Sequence, residues 1–423
     1  MALPSGKPSP YSRRTDRRTR SIMVPLSEER AAMSGFFADE DLTPNRIEMA
    51  RQAASAGTGY VDLTSSNPTH QGLRFPADIL QTAAQRYLAG RRYDPDPRGA
   101  LAAREAIARY YADRTPALAL EPEAIFVTAS TSEAYGLLFA LLTEPGDNVL
   151  APVVSYPLFE YLAAIHHVEL RPYALDERRG WRLDPVSLRV QADERTRAVL
   201  LISPHNPTGM VVQAALPALA GLGLPLICDE VFAAFPYRAA AVPPMGTLHP
   251  DLPVFHLNGI SKLFALPDLK LGWIALSGPA AERYGARLEL LNDTFLGANS
   301  LTQSMLPELF AHGMPFVAEM AARVRDNLDM ALDRLARVPG LRAQAPDGGY
   351  YLFPEVLGWS DEEALVLHLL ERGVLVHPGY FYGYENGVHI MISCLTEPAQ
   401  LVAGLDRLIA GLSSGDARAK HDQ

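Results

Sequence analysis

Along the middle of the chain, short apolar runs alternate with longer stretches whose apolar positions recur every three or four residues. The runs at 125–128, 148–154, 168–173, 198–203, 225–229, 254–258 and 271–276 are rich in Val, Ile and Leu. They read as strands buried on both faces, as in a parallel sheet. Helical stretches intervene, among them 132–142 and 213–221. This alternation predicts an α/β fold, with a large domain built on a mainly parallel seven-stranded sheet flanked by helices. From about residue 280 the pattern changes to long helices, and from 341 to 412 to a mixed segment, which predicts a smaller α+β domain. The expected division is a large domain over 61–295 and a small C-terminal domain over 296–412, with an N-terminal arm over 23–60 contributing to the latter.

The ends of the chain read differently. Residues 1–22 carry six basic residues and one acid among Pro, Ser and Gly, without apolar periodicity, and are expected to form a disordered basic tail. They lack the apolar stretch of a secretory signal. Residues 413–423 are polar and are expected to fray. No apolar run approaches the roughly 18 residues of a membrane span, so the cytoplasm is the expected compartment.

Charge and cysteine usage narrow the functional classes. The chain has 38 basic and 48 acidic residues, a net charge of −10, which argues against a nucleic acid or an anionic membrane as partner. Two cysteines, Cys228 and Cys394, exclude a disulfide framework and a cysteine zinc site, and no metal is expected. Arginine dominates the basic residues: only Lys7, Lys262, Lys270 and Lys420 are lysines. Two of these are near the ends, and the other two lie close together. A lysine amine can lose its proton and form an imine with an aldehyde, which a guanidinium cannot do.

Ligands of parallel α/β sheets bind beyond the carboxyl ends of the strands, and four motifs fall there. The stretch 128–133 (Thr-Ala-Ser-Thr-Ser-Glu) links a strand to a helix and offers N–H groups and hydroxyls to an anion such as phosphate. Asn206-Pro-Thr-Gly209 is a tight turn, Asp229 ends a strand, and Ser261-Lys262 follows another. Taken singly, each has a plain structural reading as a turn, a cap or a surface charge. Together they match what pyridoxal phosphate needs: an amine for its aldehyde, an anion for its ring nitrogen, donors for its phosphate and a donor for its ring oxygen.

At this point the chain resembles the class I/II aminotransferases, pyridoxal-phosphate enzymes of fold type I. The motifs that carry the resemblance include Ser66-Asn-Pro-Thr69, Tyr93-Asp-Pro-Asp-Pro-Arg-Gly99, the 128–133 stretch, Pro145-Gly-Asp147 and Tyr156-Pro157. Asn206-Pro-Thr-Gly209, Asp229-Glu230, Ser261-Lys262 and Leu271-Gly-Trp273 complete it. It implies that Lys262 forms the internal aldimine and shuttles the proton, that Asp229 pairs with the pyridinium, and that Asn206 bonds the ring hydroxyl. It further implies that Tyr156 stacks on the ring and that Ser130, Thr131, Ser261 and Lys270 serve the phosphate. Tyr93 would reach that phosphate from the neighbouring subunit of a homodimer. The implied activity is transfer of an amino group between an amino acid and a 2-oxo acid.

Four positions depart from the family pattern. Phe232 stands where a tyrosine is usual, Gly259 replaces a serine, and Lys270 replaces the phosphate-binding arginine, with Asp268 in place of a glycine before it. Met391 occupies the position of the arginine that clamps the substrate α-carboxylate, and residues 373–396 contain no arginine. Carboxylate recognition is then expected elsewhere, with Arg74, Arg98 and His389 as candidates and Asn67 and Tyr380 as further substrate contacts. The tyrosines around 380–384 suit either an aromatic substrate pocket or a domain interface. The missing arginine also keeps open a lyase, cyclase or decarboxylase of the same fold.

Overall fold

The structure is a computed structural model and describes residues 41–415. The basic tail, most of the N-terminal arm and the end of the C-terminal tail lie outside that span. Seven strands form the central sheet: β1 (Ile125–Thr128), β2 (Asn148–Pro152), β3 (Glu169–Tyr173), β4 (Thr196–Ile202), β5 (Leu226–Asp229), β6 (Val254–Gly259) and β7 (Gly272–Ser277). Each coincides with one of the apolar runs to within two residues. Their order is β1-β7-β6-β5-β4-β2-β3, parallel throughout except for β7, which runs against both neighbours. The inner strands β5, β6 and β7 and the edge strand β1 are buried along their whole length, whereas β3, at the other edge, exposes Pro172 where no ladder donor is needed.

The antiparallel β7 matters for the site. Its first residue, Gly272, pairs with both Thr128 and Gly259, so it joins the edge where the parallel strands end. On one face of the sheet, Phe126, Leu200, Ile227 and Phe255 pack with Leu137 and Leu138 of one helix and Leu288 of another. On the other face, Ile125, Val127 and Trp273 pack with Ile107 and Tyr111. The helices that carry these residues are α1 (Leu101–Ala112), α2 (Thr131–Leu142) and α3 (Ala280–Thr294).

The long helix α4 (Met314–Leu335) leads to the C-terminal part, where β8 (Tyr351–Leu352), β9 (His377–Pro378) and β10 (Ile390–Ser393) form an antiparallel sheet in the order β8-β10-β9. The early chain belongs with this part: Val61 and Asp62 pair in parallel with Val374 and Leu375. The association continues beyond residue 60, because Ser393 Oγ donates to Ser65 O at 2.8 Å. Between the two parts, Glu177 accepts a hydrogen bond from Tyr384 (2.9 Å) and meets His389 Nε2 at 3.2 Å. His389 is fully buried and stacks on Phe353 at 5.0 Å.

Candidate active site

Three apolar residues bring β5 to Asp229, whose carboxylate is buried at the carboxyl edge of the sheet. Oδ2 accepts from the Tyr135 hydroxyl at 2.9 Å, and Oδ1 accepts from Val231 N at 3.1 Å. Burial pushes its pKa up to about 6, against the pull of those bonds and of Lys262. Tyr135 projects from α2 one turn beyond Thr131, a spacing that puts both on one helix face. Sequence reasoning missed it, although that spacing was the signal.

Lys262 sits in a single helical turn, Ile260–Leu263, directly after β6. Burial lowers its amine to about 8, with Asp229 opposing the shift and Lys270 adding to it. The amine is therefore about one-tenth unprotonated at pH 7, far more than a free lysine. Ser261 is half-buried beside it, and Lys270 is exposed with a left-handed backbone (φ 47°). That conformation is uncommon for a residue with a side chain.

The anion cradle forms where α2 starts. Ser130 is its N-cap, with Oγ accepting from Glu133 N at 3.1 Å, while the Glu133 carboxylate accepts from Ala129 N at 2.5 Å. This reciprocal cap leaves the Ser130 hydroxyl proton and the Thr131 N–H to an anion at the positive end of the helix dipole. The floor is close-packed backbone. A Cβ on Gly272 would lie 2.9 Å from Ser130 C and Thr131 N, and one on Gly259 would lie 2.8 Å from Leu271 O. The departure at Gly259 thus has a steric cause in this chain.

The turn at Asn206 is pinned from two sides. His205 bonds Thr208 Oγ1 (2.8 Å) and Val154 O (2.9 Å), and a Cβ on Gly209, which has φ 71°, would fall 2.3 Å from Pro346 Cβ. Asn206 Oδ1 is buried without a protein partner. That oxygen is an acceptor; a ligand oxygen lying in the turn would be served by the other end of the same amide, its NH2.

An aromatic wall closes the site. Tyr156, 42% exposed, lies edge-on to Phe159. Ser155 N donates to Tyr382 O at 2.9 Å, which brings the 380–384 segment alongside it. Phe232 is buried edge-on to Tyr350 (4.9 Å) and Tyr351 (5.7 Å). Tyr237, a possible substitute for the hydroxyl missing at 232, instead donates to Asp329. Tyr382 belongs to the tyrosine segment expected at 380–384, whereas Tyr350 and Tyr351 were not singled out from the sequence, because buried tyrosines in a small domain look like packing.

Several expected substrate contacts lie elsewhere. Arg98 is held by Glu289 (2.6 Å) and by the Glu123 carbonyl, at the opposite end of β1 from Thr128, so it is not free to clamp a substrate. Asn67 spends its side-chain oxygen on Thr69 N (3.1 Å) and Thr69 Oγ1 (2.8 Å). Tyr380 is not grouped with Tyr156: its N–H donates to Glu362 at 2.7 Å, and its hydroxyl lies in the field of the acidic turn 361–363. His389 is committed to the Glu177 contact. Met391 is buried in β10 opposite His377, an apolar core position. Arg74 is exposed, and its neighbour Phe75 packs on Phe264, two residues beyond Lys262. Tyr93 is 76% exposed.

A cradle, an amide, a buried carboxylate and a desolvated amine fit pyridoxal phosphate. Comparison with known proteins agrees with that chemistry. A sequence model described as "Aminotransferase class I and II" matches residues 58–408. Human tyrosine aminotransferase is 28% identical over 70% of this chain and 68% of its own length. Alanine aminotransferase of Mycobacterium tuberculosis is 27% identical over 85% of this chain and 87% of its own length. Among solved structures, alanine aminotransferase from Pyrococcus furiosus superposes with a TM-score of 0.79 at 25% identity, covering 86% of this chain and 95% of that one. Nothing in these relatives favours the lyase, cyclase or decarboxylase alternative.

Proposed function

Because this chain belongs to the class I and II aminotransferases, and is therefore a pyridoxal-phosphate-dependent aminotransferase, we propose the following roles for its residues. Lys262 holds the cofactor and moves the substrate proton at Nζ. Asp229 pairs with the ring nitrogen, and Tyr135 keeps that carboxylate in place. Asn206 serves the ring oxygen, Tyr156 the ring face, and Ser130, Thr131, Ser261 and Lys270 the phosphate. When bound, pyridoxal phosphate supplies an aldehyde for the substrate amine and an electron sink for the pair released at Cα. The observation that carries this assignment is the desolvated Lys262 amine beside the buried Asp229–Tyr135 pair, at the edge where α2 presents its N-terminus. An amine near its own pKa can accept a proton and return it.

The substrate is an α-amino acid with an apolar or aromatic side chain, supported by Tyr156, Tyr351 and Tyr382. Arg74 is the remaining guanidinium among the expected carboxylate ligands. The larger domain then runs from 66 to 295, and the smaller one comprises 296–412 together with the chain up to Ser65. No helix among the described residues is long and apolar enough to cross a membrane, which is consistent with a cytoplasmic enzyme.

The working unit is a homodimer, supported by Tyr93, Phe295 and Leu296, which are 76%, 59% and 79% exposed. The segments that carry them meet at one point, since Asn292 near the end of α3 donates to Pro97 O at 2.7 Å. A donor screen with tyrosine, phenylalanine, alanine and aspartate, following cofactor absorbance and keto-acid products, tests the reading. Amino transfer to 2-oxoglutarate or pyruvate supports it, and release of ammonia or carbon dioxide overturns it. Arg74→Ala is expected to raise KM for the donor with little change in kcat.

A further inference from the structure

Asp229 is followed by a second buried carboxylate on the other side of the strand. Successive side chains of an extended chain point to opposite faces, so Asp229 turns toward Tyr135 of α2 and Glu230 toward α1. Glu230 N continues the ladder to Leu257 O at 2.8 Å. Its Oε2 is paired with Arg114, and its Oε1 meets His256 Nδ1 at 2.7 Å and Met245 N at 3.4 Å. Arg114 also donates to Val242 O at 2.8 Å and lies over the rings of Tyr110 and Tyr111. His256 Nε2 meets Ser277 Oγ at 2.9 Å. A Cβ on Gly246 would lie 2.1 Å from that oxygen, so the 242–246 loop seals the group.

The side chains of Arg114, Glu230 and His256 are 8%, 3% and 0% exposed. They are closed off from solvent, and a buried ion pair is weak evidence for stability. Their route to the chemistry is Asp229. The charged and titratable groups that face Asp229 are Glu230, Lys262 and Tyr135, with Cys228 one residue earlier; those that face Glu230 are Arg114, His256, Tyr110 and Tyr111. Burial favours the neutral form of Glu230, but Arg114 and then His256 outweigh it and hold the carboxyl low. Without Arg114, Glu230 would be an uncompensated negative charge next to Asp229, and a like charge disfavours ionisation.

We propose that Arg114, seconded by His256, is a positioning residue for the cofactor: by neutralising Glu230 it keeps the neighbouring Asp229 ionised toward the ring nitrogen. The inference rests on the role given to Asp229 above. The test measures the dissociation constant of pyridoxal 5′-phosphate by tryptophan fluorescence from about pH 5 to about 9, where Asp229 and the cofactor titrate. Circular dichroism confirms that each variant is folded. Arg114→Met is expected to move the acid limb of the affinity profile up by about one pH unit or more. Glu230→Gln leaves Arg114 as the uncompensated charge, so it is expected to move the limb down. The double variant is expected to return to the wild-type position, and Arg114→Lys to stay there. If Arg114→Met fails to fold, the downward shift in Glu230→Gln decides.

A merely structural role cannot shift the limb in opposite directions, so an unmoved limb, or shifts of the same sign, would overturn the inference. Asp229→Asn separates the two levels. If the limb persists in that variant, the assignment of Asp229 fails. If it vanishes there but ignores Arg114 and Glu230, only the present inference fails.

Discussion

Burying the Lys262 amine is a cost to the fold, and its sign can be followed with pH. The amine titrates at about 8 in the folded chain against 10.5 when free. Below pH 8 both states carry the proton and the full penalty of about 3 kcal/mol applies; it fades as pH rises from 8 to 10.5. Lys262→Met keeps the side-chain length without the charge. The cofactor-free variant is therefore expected to be more stable than the wild type at pH 7, by up to about 3 kcal/mol, and to lose that advantage by pH 10.5. Urea denaturation at several pH values checks this, and the same variant should lose nearly all turnover. A second residue-scale expectation concerns Phe232. A tyrosine there would add a hydroxyl that can donate to the cofactor's ring oxygen, since Tyr237 is taken by Asp329. Phe232→Tyr should move the absorbance titration of the bound cofactor to lower pH, and an unmoved titration would place residue 232 out of reach of the ring.

Strands and turns decide where substitutions are tolerated. The family's usual serine at 259 suggests that Gly259→Ser would improve the phosphate site. The backbone argues the reverse, because the new Cβ would lie 2.8 Å from Leu271 O and the two strands would have to part. The expected loss is about 1–3 kcal/mol, as for other overpacked sites, without tighter cofactor binding; thermal melts and cofactor titration measure the two effects. The same elements show what could be read from sequence. All seven sheet strands were legible, because runs such as Leu226-Ile-Cys-Asp229 are buried on both faces and carry an uninterrupted apolar signal. The residues at the strand ends were legible too, since Asp229 and Lys262 are chemically out of place beside apolar runs. Arg98 was misread because an exposed-looking arginine in a loop gives no hint of Glu289, 191 positions away. The Arg114–Glu230–His256 chain was invisible for the same reason: its members meet only when α1, β5 and β6 stack.

At the scale of the molecule, the proposed homodimer rests on a small set of exposed apolar side chains. Tyr93, Phe295 and Leu296 present large apolar side chains to solvent on neighbouring segments, where a partner subunit would cover them. Leu296→Asp is expected to shift the protein toward monomer by light scattering and to cut activity about tenfold or more, as the loss of a central interface residue does. Tyr93→Phe should leave the dimer intact but loosen the cofactor on dialysis. A dimer unaffected by Leu296→Asp would move the interface elsewhere. The scarcity of lysine has a practical consequence as well. Within residues 41–415 there are only two side-chain amines, one half-buried at Lys262 and one exposed at Lys270. Reductive methylation followed by peptide mass mapping would therefore work as a built-in occupancy gauge. Lys270 would be marked in every preparation unless phosphate shields it, and Lys262 only in the fraction of molecules that have lost their cofactor.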